Sequence, residues 1–327
     1  MSLVGRLAQV VLGFGSAAIL LWLVLAHTDL HETEKALATA DRNWIALGIA
    51  AYAVNLSVRA VRWRLILRQV EEVAFRPILS ALLVGYGVNA LLPARLGELF
   101  RVEFCKQRYQ LSRVWVLASI VVERLLDGIV VILSLGVGLW VSHRSDHITK
   151  VLGGLLAVGT AIFGSLLFAT LIMSGKSIPR LFERWPAISR RMDMVRSGLE
   201  IVRSRRLPII LTISLLVYVP DTLSIWLAVK AVGISLSFGN TLVLAGAASL
   251  ATLLPSGPAF LGALQLAYAL TMQFAGEPTS VGIAATILVQ VFYYAPVALI
   301  AVVMIASGAG QSLKKLLNFM APPSQPG

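Results

Sequence analysis

The sequence predicts an all-α fold: a polytopic membrane helix bundle in which two broken, re-entrant segments sit in an inverted repeat. Three observations predict it. Only 13% of the 327 residues are charged and 57% are hydrophobic, where soluble domains carry roughly 25% charged residues. Apolar runs at 8–26, 44–67, 114–141, 151–173, 208–232 and 281–307 approach or exceed the roughly 20 residues that a bilayer span needs. Two further apolar regions are interrupted: 77–92 is short, and 242–275 is broken by Pro255, Gly257 and Pro258. Such interruptions resemble the discontinuous helices of transporters.

The first run, 8–26, follows Arg6. It is longer than a signal-peptide core, and Ala38-Thr39-Ala40 lies too far beyond it for cleavage, so a retained span is expected. Basic residues set the orientation of the rest. Arg59, Arg62 and Arg64 end the second run, and Arg68 and Arg76 follow it. Arg95, Arg101, Lys106, Arg108 and Arg113 follow the short one, and Lys314 and Lys315 lie near the end. The loop 27–43 is mainly acidic, with Asp29, Glu32, Glu34 and Asp41. Placing basic loops in the cytoplasm puts both termini there, in the inner (cytoplasmic) cell membrane. It also makes 77–95 enter and leave from inside, and 242–262 from outside.

The resulting organisation is an N-terminal span and outer loop (1–43), a membrane domain (44–307) and a cytoplasmic tail (308–327). Within the domain, 44–141 and 208–307 are inverted copies joined by a span and an amphipathic segment (151–207). The copies share Leu91-Leu92-Pro93 and Leu253-Leu254-Pro255, each with a downstream Leu-Gly at Gly97 and Gly262. In 174–207, Ile178, Leu181, Trp185, Ile188, Met192, Val195, Leu199 and Val202 form one apolar stripe among arginines. That pattern suits an interfacial helix on an anionic inner leaflet.

Net charge is +12, but the cations flank apolar runs, so headgroup contact is expected and nucleic acid is not. The single cysteine, Cys105, excludes an intrachain disulfide. His27/His31 and His143/His147 have i,i+4 spacing and are read as loop histidines, with no metal site expected. No Walker motif occurs, so neither nucleotide nor any other cofactor is expected.

The candidate site begins with Glu123, Arg124 and Asp127 inside the run 114–141. Glu123 and Asp127 share a helix face. Glu123 lies about 14 Å along the axis from Val114 at 1.5 Å per residue, near the middle of the hydrocarbon. Charges at that depth face a polar cavity or a partner. One reading is a lipid-headgroup site. The other is an internal salt-bridge network with Arg95 or Arg101 that locks segments together, and both can hold. Arg95, Gly97, Glu98 and Arg101 form a second cluster after Pro93. Arginine offers a planar fork for phosphate oxygens, and Gly97 permits close backbone approach. Asn89, Gln265, Arg59, Arg62, Pro255 and Gly262 complete the candidates, with Asn55, Asp221, Gln290, Tyr293 and Tyr294 as further polar residues in spans.

These motifs carry a resemblance. Arg59-Ala-Val-Arg62-Trp63-Arg64, Asn89-Ala-Leu-Leu-Pro93-Ala-Arg95-Leu-Gly97-Glu98-Leu-Phe-Arg101, Glu123-Arg124-Leu-Leu-Asp127 and Pro255-Ser-Gly-Pro258-Ala-Phe-Leu-Gly262-Ala-Leu-Gln265 occur in order. From about Trp44 to Ser307 the chain resembles the lysylphosphatidylglycerol synthase transmembrane-region family of flippase-like membrane proteins. It departs from the family pattern at Ala259, where glycine is usual, and at Gln265, where an acidic residue is frequent. The resemblance implies movement of an anionic phospholipid or a polyprenyl-linked lipid between leaflets. Arginines would hold the phosphate, and carboxylates would orient them or accept a coupling proton. No catalytic residue is assigned. A transferase acting on a lipid headgroup and a scaffold in a glycolipid or hopanoid pathway stay open. So do lipid-synthesis enzymes, or a second copy of the chain, as partners.

Overall fold

The computed structural model describes residues 15–26, 28–68, 72–92, 96–142, 147–175, 205–254 and 256–306. The amphipathic stretch 176–204, the tail, Arg95 and Pro255 lie outside the described residues. Among those described, the chain is helical without strands. The helices are α1 (Gly15–Leu25), α2 (Leu30–Ala38), α3 (Arg42–Leu67), α4 (Phe75–Leu91), α5 (Gly97–Tyr109), α6 (Arg113–Ser142), α7 (His147–Gly175), α8 (Leu207–Ala231), α9 (Phe238–Ala251), α10 (Ala263–Ala275), α11 (Thr279–Val289) and α12 (Ala295–Met304). A π-helical turn, Gln290–Tyr294, joins the last two. Among the described residues, four helical stretches are long and apolar enough to cross a membrane: 42–67, 147–166, 207–231 and 279–304. The predicted span 114–141 is the 30-residue α6, which carries the ionic trio.

One element differs from the sequence expectation. The acidic loop contains α2, because the Asp29 carboxylate caps it by accepting from the backbone N–H groups of His31 and Glu32. The predicted span 208–232 is the continuous α8, which contains Pro220. Asn55 of α3 donates from Nδ2 to the Val217 carbonyl at 2.8 Å, supporting the backbone in the turn before the proline.

Both interrupted regions are paired helices. Leu92 is extended (φ −116, ψ 142), the conformation imposed on a residue preceding proline, and this stops α4. The chain then returns along α4 as α5. Asn89 Oδ1 accepts from the Gly97 N–H at 2.7 Å, and the Ser80 and Tyr109 hydroxyls meet at 2.7 Å further along the pair. Gly97 is needed here: a Cβ at that position would collide with the Gly85 carbonyl and the Asn89 amide. Gly97→Ala is expected to lower stability by about 1–3 kcal/mol, the usual cost of overpacking, measurable as a lower denaturation midpoint in detergent. The second pair, α9 and α10, is joined through a 3₁₀ turn at Pro258–Phe260. There Ala259 is left-handed (φ 51, ψ 29) and Phe260 also has positive φ (58). A non-glycine residue pays about 1–2 kcal/mol in that region. Ala259→Gly should therefore raise the same midpoint by about 1 kcal/mol of stability; no change would mean the turn is not held this way.

The helix contacts come in matched sets. The α3 and α8 helices pack on each other, and α4 packs on α12 as α9 packs on α6. The α3–α8 pair is antiparallel: the Asp41 N–H bonds the Ala231 carbonyl at one end, and Arg62 meets Ser214 toward the other. Aligning the two Leu-Leu-Pro motifs offsets the copies by 162 positions. Asn55 and its bonded partner Val217 are separated by that same number, as are the ion-paired Arg59 and Asp221. A residue touches its own mate only on the two-fold axis relating two copies, so these contacts mark where such an axis would run.

Candidate functional site

The ionic residues of α3, α5, α6 and α8 converge, and they divide into a sealed part and a cavity-facing part. In the sealed part, Glu123 is fully buried. Its Oε2 accepts from Arg101 at 2.8 Å and its Oε1 from Arg62 at 3.3 Å. Arg62, also fully buried, donates to Asp127 Oδ1 at 2.6 Å and reaches Ser214 Oγ at 3.4 Å. The Arg101 guanidinium lies 3.3 Å over the Trp63 ring, and Trp63 Nε1 donates to Ser119. One carboxylate thus ties α3, α5 and α6 together, while Arg62 adds α8. This is the interlocking network anticipated for Arg101; Glu123 and Arg62 do not line the main cavity.

The cavity-facing part borders a space of ≈ 160 Å³. Arg59 of α3 donates from Nε to Asn55 at 2.9 Å. Its terminal nitrogens reach Tyr86 Oη and Asp127 Oδ2, both at 3.4 Å, and Asp221 at 3.5 Å. Arg124 is different. Its nearest carboxylates, Glu123 and Asp127, stand at 3.6 and 3.7 Å. Unlike Arg62 and Arg101, whose Nε atoms are also unmet but whose terminal nitrogens are bonded, Arg124 donates no hydrogen bond to any described residue, and its buried Nε has no partner among them. The cause lies in the competing arginines: Arg62 and Arg101 take both oxygens of Glu123, Arg62 takes Oδ1 of Asp127, and Arg59 is closer than Arg124 to Oδ2. Arg124 is left a guanidinium that borders the cavity without a close acceptor among the described residues, with its side chain 27% exposed.

The other candidates fall in distinct places. Asn89 and Glu98 line the cavity and are bonded to each other at 3.3 Å. Gly97 and Arg101 border a smaller hollow of ≈ 10 Å³ beside it, together with Arg124; that is room for about one water. Gln265 lies away from the cavity. It accepts from the Gly262 N–H and donates to Gln290 at 3.0 Å, and Gln290 in turn donates to the Ala259 carbonyl. Gly262, at φ 87, packs against Ala17 of α1. Sequence reasoning did not single out the aromatic lining, which includes Tyr52, Tyr86, Tyr218 and Phe260. For α3 a signal existed: Tyr52, Asn55, Leu56 and Arg59 recur at helical spacing on one face. For Phe163 of α7, whose ring covers Gly128, no signal existed.

Among the described residues, no group of three or more His, Cys, Asp or Glu side chains is placed to hold a metal. Chemically, the arrangement offers N–H donors to an anion, carboxylates to a donor, and aromatic walls to apolar or ring surfaces.

Comparison with known proteins finds relatives by sequence. Over 171 residues the chain is 28% identical to UPF0104 membrane protein PH1989 of Pyrococcus horikoshii, covering 51% of this chain and 49% of that protein. Over 153 residues it is 29% identical to glycosyltransferase AglD of Haloferax volcanii, covering 45% of this chain and 24% of that protein. Over 221 residues it is 24% identical to UPF0104 membrane protein MJ1078 of Methanocaldococcus jannaschii, covering 66% of this chain and 92% of that one. The chain thus matches about half and about a quarter of the length of the first two relatives. Residues 7–301 match the family described as the lysylphosphatidylglycerol synthase TM region. With that match and its long apolar helices, the chain is an integral multi-pass membrane protein and belongs to the lysylphosphatidylglycerol synthase transmembrane-region family.

Proposed function

We propose that this protein moves a phosphate-bearing lipid, a phospholipid or a polyprenyl-linked lipid, from one leaflet to the other. The headgroup passes through the ionic cavity while the acyl or prenyl chains stay in the bilayer. The observation that carries the reading is the Arg124 guanidinium, which lines the cavity and lacks a hydrogen-bond partner among the described residues. A buried unmet donor is costly, and a phosphate oxygen is the acceptor its fork geometry suits best.

The paired helix contacts support alternating access. Two copies packed around α3 and α8, with Arg59–Asp221 and Asn55–Val217 on the axis, could exchange conformations and open the same cavity toward either side. In this reading α4–α5 and α9–α10 are re-entrant hairpins entering from opposite faces. The protein then sits in the cell membrane with both termini in the cytoplasm, its basic loops against the anionic inner leaflet. Tagging each end and testing protease access in inside-out vesicles checks this; a protected terminus contradicts the orientation.

The function is tested by reconstituting the purified protein in vesicles with lipid placed in one leaflet and following its appearance in the other. Movement without change in lipid mass is the expected outcome. A second reading is favoured by the glycosyltransferase name of one relative: group transfer onto a lipid headgroup at the same cavity. It predicts a lipid of altered mass, and that result would replace the first reading.

A further inference from the structure

The charge pattern of the cavity wall narrows the headgroup. Described lining residues supply two cations, Arg59 and Arg124, against three carboxylates, Glu98, Asp127 and Asp221. They do not make a positive basin. Four of them form a ladder of alternating sign: Arg124 to Asp127 at 3.7 Å, Asp127 to Arg59 at 3.4 Å, and Arg59 to Asp221 at 3.5 Å. The ladder has an unspent donor at one end and an unspent acceptor at the other. Arg124 donates no hydrogen bond to a described residue. Asp221 has only the long contact to Arg59 among described residues, so both its oxygens can accept.

We propose that the headgroup carries a hydrogen-bond donor beyond its phosphate, an ammonium or a hydroxyl, with the phosphodiester at Arg124 and the donor at Asp221. This rests on the lipid-translocation reading and narrows its substrate. A bare phosphomonoester gains Arg124 but faces Asp127 and Asp221, and like charges facing each other across a site discriminate against a ligand. A quaternary ammonium brings positive charge but no N–H, leaving the Asp221 oxygens without a hydrogen bond. A phosphodiester bearing one negative charge and a donor matches both ends. Ammonium and hydroxyl are distinguishable, because a carboxylate holds a cation by charge, whereas an amide in its place still accepts from a hydroxyl.

The test uses the full chain in vesicles and four probe lipids with identical acyl chains: phosphatidic acid, phosphatidylcholine, phosphatidylethanolamine and phosphatidylglycerol. Phosphatidylethanolamine or phosphatidylglycerol should cross at least about tenfold faster than the other two, the discrimination expected when a site's polar group is left unpaired. Asp221→Asn should abolish a preference for the ethanolamine lipid and preserve one for the glycerol lipid. Phosphatidic acid or phosphatidylcholine crossing as fast as the donor-bearing lipids in the wild-type protein overturns the inference, whether or not the variant folds. If none of the four crosses above the protein-free rate, this inference is overturned, while the translocation reading is decided separately by the same assay with a polyprenyl phosphate-linked lipid. Equal crossing of all four leaves translocation standing and removes the donor requirement alone.

Discussion

Glu123→Gln should cost this protein more stability than any other single change considered, about 3–5 kcal/mol, the usual penalty for removing one partner of a buried ion pair. Glu123 is fully buried, and its two oxygens each hold a different arginine. The amide keeps the shape but not the charge. It leaves Arg101 over Trp63 without its carboxylate and Arg62 with Asp127 alone. Because those arginines reach Glu123 from α5 and α3, the loss should loosen three helices at once. It should show as poor yield of folded protein and an early denaturation transition in detergent. A double variant, Glu123→Leu with Arg101→Met, should recover much of the loss, since an apolar pair of similar volume replaces a buried ion pair at little cost. A Glu123→Gln protein with a wild-type midpoint would mean that the sealed network does not hold the bundle.

Arg124→Ala should do the reverse: keep the fold and remove the activity. The side chain contributes no hydrogen bond to described residues, only ion pairs of 3.6 and 3.7 Å, so about 1 kcal/mol or less of stability is at stake. A hydrogen bond to a charged group is worth about 1.5–3 kcal/mol. Losing it from the bound headgroup corresponds to roughly a ten- to hundredfold fall in lipid movement. Arg124→Lys should fall between, because it keeps the charge but loses the planar fork. The check is vesicle translocation alongside a detergent melt of the same preparations. Unchanged movement in a folded Arg124→Ala protein would remove the guanidinium from the pathway.

The contrast between these neighbours also shows how far the sequence reaches. Three ionic residues in an apolar run are conspicuous because the bilayer makes them expensive, so Glu123, Arg124 and Asp127 announce a site. Their division of labour is invisible, because it depends on Arg62, which meets Glu123 from 61 positions away. Arg62 is a candidate at the end of a span, but nothing in the sequence pairs it with Glu123 until the fold buries both. The helix breaks were legible, since Pro93 and Pro255 stand in the sequence and proline restricts the residue before it. The return of α5 along α4 rests on Gly97 nested against Gly85, a contact that a single glycine suggests but cannot locate. Its motif groups Gln265 with the site, yet the fold spends its amide on Gly262 and Gln290. In the sequence Asp221 is only a polar residue in a span. Its meaning depends on Arg59, and that pairing exists only once α3 and α8 pack together.

The central claim is that a lipid phosphate enters this cavity and meets Arg124. The most direct measurement is a cryo-electron microscopy map of the protein in lipid nanodiscs that include donor-bearing phospholipid. The account predicts headgroup density inside the cavity, with phosphate oxygens within about 3 Å of the Arg124 guanidinium and acyl density leading out to the bilayer. A cavity holding only water, with every lipid phosphate at the membrane surface in both wild-type and Arg124→Ala maps, would contradict it.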